Sequence, residues 1–458
     1  MSTADEASEH IGDHLLDVGD FEAVGDGVYR TDGFELREFE ELHIDLEDPA
    51  APFDDPEFVV VVSRHAGDTG PLLTAHHTGN FGDAQYGGED RSLAEACPNA
   101  HRRVVAALRE HAPDGYDVGM ECTHHGPTEV SAPSMFVELG SGEEEWRDPD
   151  GARAVARAVL DLRDVTPRDG RALVAFGGGH YAPRPTRILE ATDWGVGHVA
   201  ADWSLSELGD PREDSRVVDR MFDASGAEHA VVDGEQPAVE AVVEDLGYRV
   251  VSETWVRETD GVPPALVASL EAEVRPVDEG LRFGAPAVGY DDSARDSEDD
   301  DADGYTVVEF PADLLDAAHA ADPEATVEAA RETALAYATG ENGNRLTGVA
   351  AYADESAWDA FVDRVVSVLA DDYDEVSRED EVLTATRETF DPAAASTLGV
   401  PEGPKFGQLA AGESVEVNGS EIRPADVARS ESVSVSLGFR EWARERVRRP
   451  SDAEGKGN

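Results

Sequence analysis

Four short apolar runs in the first half of this chain each end in a histidine-bearing turn, and that arrangement restricts the fold more than any other feature. Residues 58–63 (FVVVVS) lead into Arg64 and His65, and residues 72–77 close on His76 and His77 before Thr78-Gly79-Asn80-Phe81. Residues 116–123 run into His124-His125-Gly126-Pro127-Thr128, and residues 172–176 (ALVAF) into Gly177-Gly178-Gly179-His180-Tyr181. Short continuous apolar runs read as buried strands, and strand ends are where α/β proteins place their chemistry. Between the runs lie segments of helical period. Residues 93–111, interrupted early by Pro98, place Val104, Val105 and Leu108 on one face, and 150–162, 215–222 and 236–246 follow suit. Further strands are expected at 135–139, 230–232 and 249–255. The alternation predicts an α/β fold, with a mixed or mostly parallel sheet flanked by helices.

The pattern breaks at residues 291–304, which contain no apolar side chain larger than Ala. Such a stretch cannot bury enough surface to offset its ordering entropy and reads as an acidic linker. The expected organisation is a catalytic domain over 1–288, the linker over 289–304, a smaller α+β part of unknown role over 305–449, and a polar tail over 450–458. Acidity extends to the whole chain: 99 acidic against 37 basic residues give a formal net charge of −62. With 40% hydrophobic residues in periodic runs, that excess does not mean disorder. It suits molar salt, where the Debye length falls to roughly 3 Å and self-repulsion is screened; we read it as halophilic adaptation, uninformative about the ligand. Two cysteines, Cys97 and Cys122, exclude a disulfide framework. No signal-peptide pattern and no apolar run of about 18 residues occurs, so a soluble cytoplasmic protein is expected, with no membrane association.

Strand geometry puts Glu121, Thr123 and His125 on one face of the third run, with Cys122 and His124 on the other. An imidazole projecting beside a carboxylate suits general acid/base work or zinc binding. A lone histidine is more often a hydrogen-bonded core residue; several at strand ends of one domain argue for a site. Gly177, Gly178 and Gly179 expose backbone N–H groups that suit an oxyanion or a phosphate, with Arg184 close behind in sequence. No CxxC or HExxH signature is present, so spacing alone does not show a metal.

Taken together, Ser63-Arg64-His65, His76-His77-Thr78-Gly79-Asn80-Phe81, Glu121-Cys122-Thr123-His124-His125-Gly126-Pro127-Thr128, Glu138-Leu139-Gly140-Ser141 and Gly177-Gly178-Gly179-His180-Tyr181 resemble the archaeal and plant-type D-aminoacyl-tRNA deacylase family over roughly residues 1–285. The resemblance implies a phosphorylase- and peptidyl-tRNA-hydrolase-like fold, a monomer, zinc dependence, and hydrolysis of the ester joining a D-amino acid to tRNA. On that reading the catalytic candidates are His125, His180, Glu121 and Thr123. Gly177, Gly178, Gly179, Arg184 and Asn80 are the substrate-binding candidates, and His76, His124 and Glu138 the metal ligands. The ligands are drawn from a pool of His76, His124, His125 and His180, and a metal-free route with His125 or His180 as base is the alternative. The competing reading is a phosphorylase-like enzyme acting on nucleosides or nucleotides, and the third a non-catalytic tRNA-binding protein.

Overall fold

The computed structural model describes residues 1–291 and 304–443; the expected tail and 292–303 of the expected linker lie outside the described residues. The chain divides into two compact units, Met1–Asp260 and Gly261–Asn458.

The first unit opens with the helix Glu6–Val18. Its N-cap, Asp5, accepts the Ala7 and Ser8 N–H groups at 3.0 and 3.1 Å, a contribution of about 1 kcal/mol. The same carboxylate accepts the Arg64 N–H at 3.2 Å, which ties the helix to the end of the strand Val59–Arg64. That strand belongs to a four-stranded sheet in the order Val59–Arg64, Ser134–Gly140, Leu72–His76, Asp117–Met120. Its pairs are parallel, antiparallel and parallel in turn. A second sheet, Arg249–Val250, His229–Val232, Ala172–Phe176, Gly195–Ala200, is wholly parallel. Every residue of Ala172–Phe176 is buried, and Val174 and Phe176 pack with Val218, Phe222 and Val243. Each such side chain stabilises the fold by about 1.5–3 kcal/mol. The architecture is the expected α/β one, with a mixed and a parallel sheet flanked by helices.

Three expected elements differ in extent. The helix expected from residue 93 is Pro98–His111: proline occupies the first turn, where its missing N–H costs nothing, and so starts the helix instead of interrupting it. The strand expected over 249–255 stops at Val250, because Ser252 caps a new helix, Glu253–Glu258, by accepting the Trp255 N–H at 3.0 Å. The strand expected over 116–123 ends at Met120. Beyond it, Glu121 N–H still reaches the Ala75 carbonyl, but Cys122 N–H turns to the His180 carbonyl and Thr123 N–H to Val199. The segment thus crosses from the first sheet to the second.

The second unit is α+β. An antiparallel sheet of Leu281–Phe283, Ala336–Gly340, Arg345–Tyr352 and Thr306–Glu309 packs its core around Tyr352, Trp358 and Phe361. The strand Leu281–Phe283, which precedes the expected linker, pairs with Ala336–Ala338 and is part of this unit. Among the described residues, no helix is long and apolar enough to cross a membrane.

Candidate functional site

Strand register builds the site's floor. Glu138 lies beside Ser63 on one neighbouring strand and Thr74 on the other, while two residues away Phe136 lies between Val61 and His76. Residues two apart share a face, so Ser63, Glu138, Thr74 and His76 all project on one side of the sheet. The Ser63 hydroxyl donates to Glu138 Oε1 at 2.7 Å. Thr74 donates to Glu121 Oε1 at 2.5 Å.

The two carboxylates are almost wholly buried, Glu121 at 1% and Glu138 at 4% exposure. His65 Nδ1 stands between them, 3.0 Å from Glu121 Oε1 and 3.5 Å from Glu138 Oε2. Burial opposes charge on this imidazole, but both carboxylates bond to it and attract its proton, lifting its pKa to about 10. His180 Nε2 lies 2.8 Å from Glu121 Oε2, and His124 Nε2 lies 3.8 Å from the same oxygen. Against the cost of burial, the neighbouring imidazoles hold both carboxylates far below the usual carboxylate range.

His124 and two further imidazoles, His76 and His125, converge here with one orientation in common. The Nδ1 atoms of His76, His124 and His125 lie 3.1, 2.8 and 2.7 Å from the backbone carbonyls of His77, Cys122 and Gly126. A carbonyl only accepts, so each Nδ1 carries the hydrogen and each Nε2 keeps its lone pair. His76 Nε2 is buried without a hydrogen bond of good geometry, and Glu138 Oε1 lies 3.5 Å from it. Glu138 nevertheless raises the His76 pKa against strong desolvation, so a proton and a cation compete for the same lone pair. Burial, followed by the charge of His76, pushes His125 down to about 4 and His124 well below its ordinary value.

These groups form three sets whose ligand atoms lie within 4.8 Å of one another: His76, His124 and His125; Glu121, His124 and His180; and His65, Glu121 and Glu138. Two buried carboxylates facing one imidazolium and several lone pairs form a donor set that fits a small divalent cation. Backbone carbonyls that accept the Nδ1–H of an imidazole are common outer partners of the ligands in such a site.

Local backbone makes the convergence possible. The alternation expected from an extended 121–125 does not hold: His125 sits at φ 41°, a left-handed conformation that swings it to the same side as Glu121 and His124. Gly126 follows because a Cβ there would lie 2.3 Å from the Gly88 nitrogen. Thr123 turns out of the cluster. Its hydroxyl accepts the Val199 N–H at 3.0 Å and lies 3.0 Å from His198 Nδ1.

The remaining candidates are not brought to this centre. Asn80 donates to the carbonyls of Gly87 and Glu89 and so anchors a loop. Arg184 is engaged by the Val232 carbonyl and by Glu253. The Gly177 N–H is taken by the Ala200 carbonyl, and the Asp233 carboxylate lies against Gly178, a poor neighbour for an oxyanion or a phosphate. Sequence reasoning did not single out Ser63, Thr74 or His65 as site residues, although Thr74 is two residues from His76 and must share its face. The Cys122 thiol, pushed up to about 12 by burial and by Glu121, remains protonated and unsuited to nucleophilic attack.

The cluster opens into a cleft of about 340 Å³, also lined by His43, Ile44, Arg64 and Tyr86. A family model described as D-aminoacyl-tRNA deacylase matches residues 52–251, which include every residue of the cluster. A D-aminoacyl-tRNA deacylase of Halobacterium salinarum is 60% identical over 459 positions, covering 100% of this chain and 99% of the relative. That of Natronomonas pharaonis is 51% identical over 94% of this chain and 97% of its own length. A conserved protein of unknown function, known from a crystal structure, superposes with a TM-score of 0.52 at 34% identity, covering 57% of this chain and 95% of its own.

Proposed function

This chain belongs to the D-aminoacyl-tRNA deacylase family, and we propose that the imidazole–carboxylate cluster is the centre at which it hydrolyses the ester of D-aminoacyl-tRNA, with zinc as the resident cation. His76, His124 and His125 would hold the metal through Nε2, with Glu138 beside His76. The observation that carries this reading is the set of three lone pairs, each fixed by an Nδ1–H···O=C bond, facing two buried carboxylates. Bound there, zinc supplies a water acidic enough to be ionised near neutral pH and a Lewis acid for the ester carbonyl.

The chain's own groups do the rest. Glu121 fixes His180 through Nε2. His180, with a third of its side chain exposed, moves the proton between the attacking water and the leaving ribose oxygen. The His65 imidazolium, held between both carboxylates, keeps two buried negative charges at close quarters. Thr74 and Ser63 each donate a hydroxyl to one oxygen of a carboxylate and so fix its orientation, leaving Glu121 Oε2 to His180 and Glu138 Oε2 to His65.

The test is deacylation of D- and L-tyrosyl-tRNA in molar salt, with and without a chelator, alongside metal analysis of protein purified without added metal. The expected result is turnover of the D-ester alone, lost on chelation and regained with zinc. Equal turnover of both esters would overturn the substrate assignment, and full activity in metal-free protein would overturn the zinc assignment.

A further inference from the structure

Among the described residues, seven large hydrophobic side chains are exposed, and three of them are aromatic: Tyr86 at 68%, Trp203 at 40% and Tyr181 at 38%. All three border the cluster. Tyr86 lines the cleft, and the rings of Tyr181 and Trp203 stand 5.0 and 6.5 Å from that of His180. The four other exposed hydrophobics, Val24, Val288, Val382 and Leu398, are aliphatic.

Tyr86 is exposed on a backbone that is firmly held. Its carbonyl accepts the Gly126 N–H at 3.0 Å, one residue from His125. Asn80 donates to the carbonyls of Gly87 and Glu89, and Glu89 N–H bonds to Thr128 at 2.8 Å. A ring presented to solvent from a pinned loop loses little backbone freedom when something settles on it.

Electrostatics leaves that surface a specific task. Nucleic-acid binding ordinarily draws on phosphate contacts, and each contact to a single strand loses roughly eightfold in affinity between 0.1 M and 2 M salt. A chain of formal charge −62 in molar salt can draw little from that source. Stacking of bases on aromatic rings does not depend on charge and tolerates any base. We propose, resting on the deacylase reading, that Tyr86, Trp203 and Tyr181 form an aromatic collar that takes the unpaired 3′ nucleotides of tRNA by base stacking, carrying most of the affinity and setting the ester over the cluster.

The experiment uses the full chain in 2 M KCl with three probes: D-tyrosyl-tRNA, D-tyrosine ethyl ester, which has no nucleotide, and the trinucleotide CCA, whose binding is read by calorimetry. Tyr86→Ala should raise KM for the tRNA about tenfold or more, the scale of one lost base stack, with kcat within about twofold. Tyr86→Trp should restore KM, CCA should bind wild type and Y86W about tenfold or more tighter than Y86A, and ethyl-ester kinetics should be shared by all three. Trp203→Ala should raise the tRNA KM further in combination with Y86A. An unchanged tRNA KM in the double variant would overturn the collar, as would equal losses on tRNA and ethyl ester. Because CCA binding needs no turnover, a wild type that binds CCA through Tyr86 yet leaves D-tyrosyl-tRNA intact would remove the deacylase reading and keep the collar.

Discussion

His76 and His77 are neighbours in sequence and equally buried, yet they belong to two groups of opposite character. Successive strand residues face opposite sides, so the two imidazoles enter different surroundings. His76 joins His65, His124, His125 and His180 around two carboxylates. His77 packs with His101 and His198, with ring centres 4.7 and 5.8 Å from its own. His77 Nδ1 lies 3.2 Å from the Gly197 carbonyl, and its Nε2 accepts the Cys97 N–H. His198 Nε2 lies 2.9 Å from the Ala94 carbonyl, and its Nδ1 accepts from Thr123. No carboxylate pairs with this second group among the described residues. Burial therefore has its ordinary effect, lowering His101 and His198 to about 4 and His77 well below its usual value. Comparable burial leaves His77, His101 and His198 as neutral struts while His65 and His76 are held toward the charged form; the facing carboxylates make the difference.

The strongest way to break this contrast is to remove a carboxylate. Glu121→Gln takes away the charge shared by His65, His180 and His124, and kcat for D-tyrosyl-tRNA should fall by about 10³-fold or more, with a thermal midpoint within a few degrees of wild type. A variant that keeps a tenth of wild-type kcat would remove Glu121 from the chemistry. His198→Ala should do the reverse. It leaves the Ala94 carbonyl and the Thr123 hydroxyl without their partner and opens a cavity, a loss of about 2–4 kcal/mol by denaturant unfolding, with kcat of the folded fraction within about threefold.

Acid sharpens the comparison from another side. A histidine whose pKa is about 4 when folded and near 6.5 when unfolded binds its proton only in the unfolded chain between those values. Stability from His101 and His198 is thus fully present above pH 6.5 and declines as pH falls toward 4, by about 1.4 kcal/mol per pH unit per group inside that window. Unfolding midpoints at pH 7 and pH 5 should show the loss, and His198→Gln should flatten it. An unaltered slope in H198Q would mean that another group supplies it. A smaller effect is expected from Thr74→Val, which removes one hydroxyl from Glu121: kcat should fall about tenfold, with little change in unfolding midpoint.

The smallest effect should come from removing the second unit. The first unit alone spans 260 residues and holds the whole cluster, and the superposed crystal structure covers a similar share of this chain. We expect a chain ending at Asp260 to fold in molar salt with kcat within about threefold of full length. An insoluble or inactive product would place an essential part of the core beyond that point.

The α/β alternation and the strand ends were legible because buried strands need continuous apolar runs and helices need a 3.6-residue period. Glu121, His124, His125 and His180 could be named because a strand end bearing imidazoles has no packing reason to repeat. The faces could not be assigned: alternation holds only while the chain stays extended, and after Met120 the segment crosses between sheets with His125 in a left-handed turn. Ser63 and Thr74 were not named as site residues because a hydroxyl in an apolar run acquires meaning only from the carboxylate that the fold brings to it, here Glu138 for one and Glu121 for the other. Arg184, Gly177 and Asn80 looked like ligand contacts because sequence shows which donors are nearby but not which acceptors have claimed them.

The most direct measurement sets His76→Ala beside His77→Ala, comparing turnover of D-tyrosyl-tRNA and zinc content at equal folded fraction in molar salt. H76A should lack zinc and lose at least about 10³-fold in kcat while unfolding near the wild-type midpoint. H77A should retain zinc and a kcat within about threefold while losing stability. A fully active, zinc-replete H76A, or an H77A that folds as wild type but has lost turnover, would contradict this contrast.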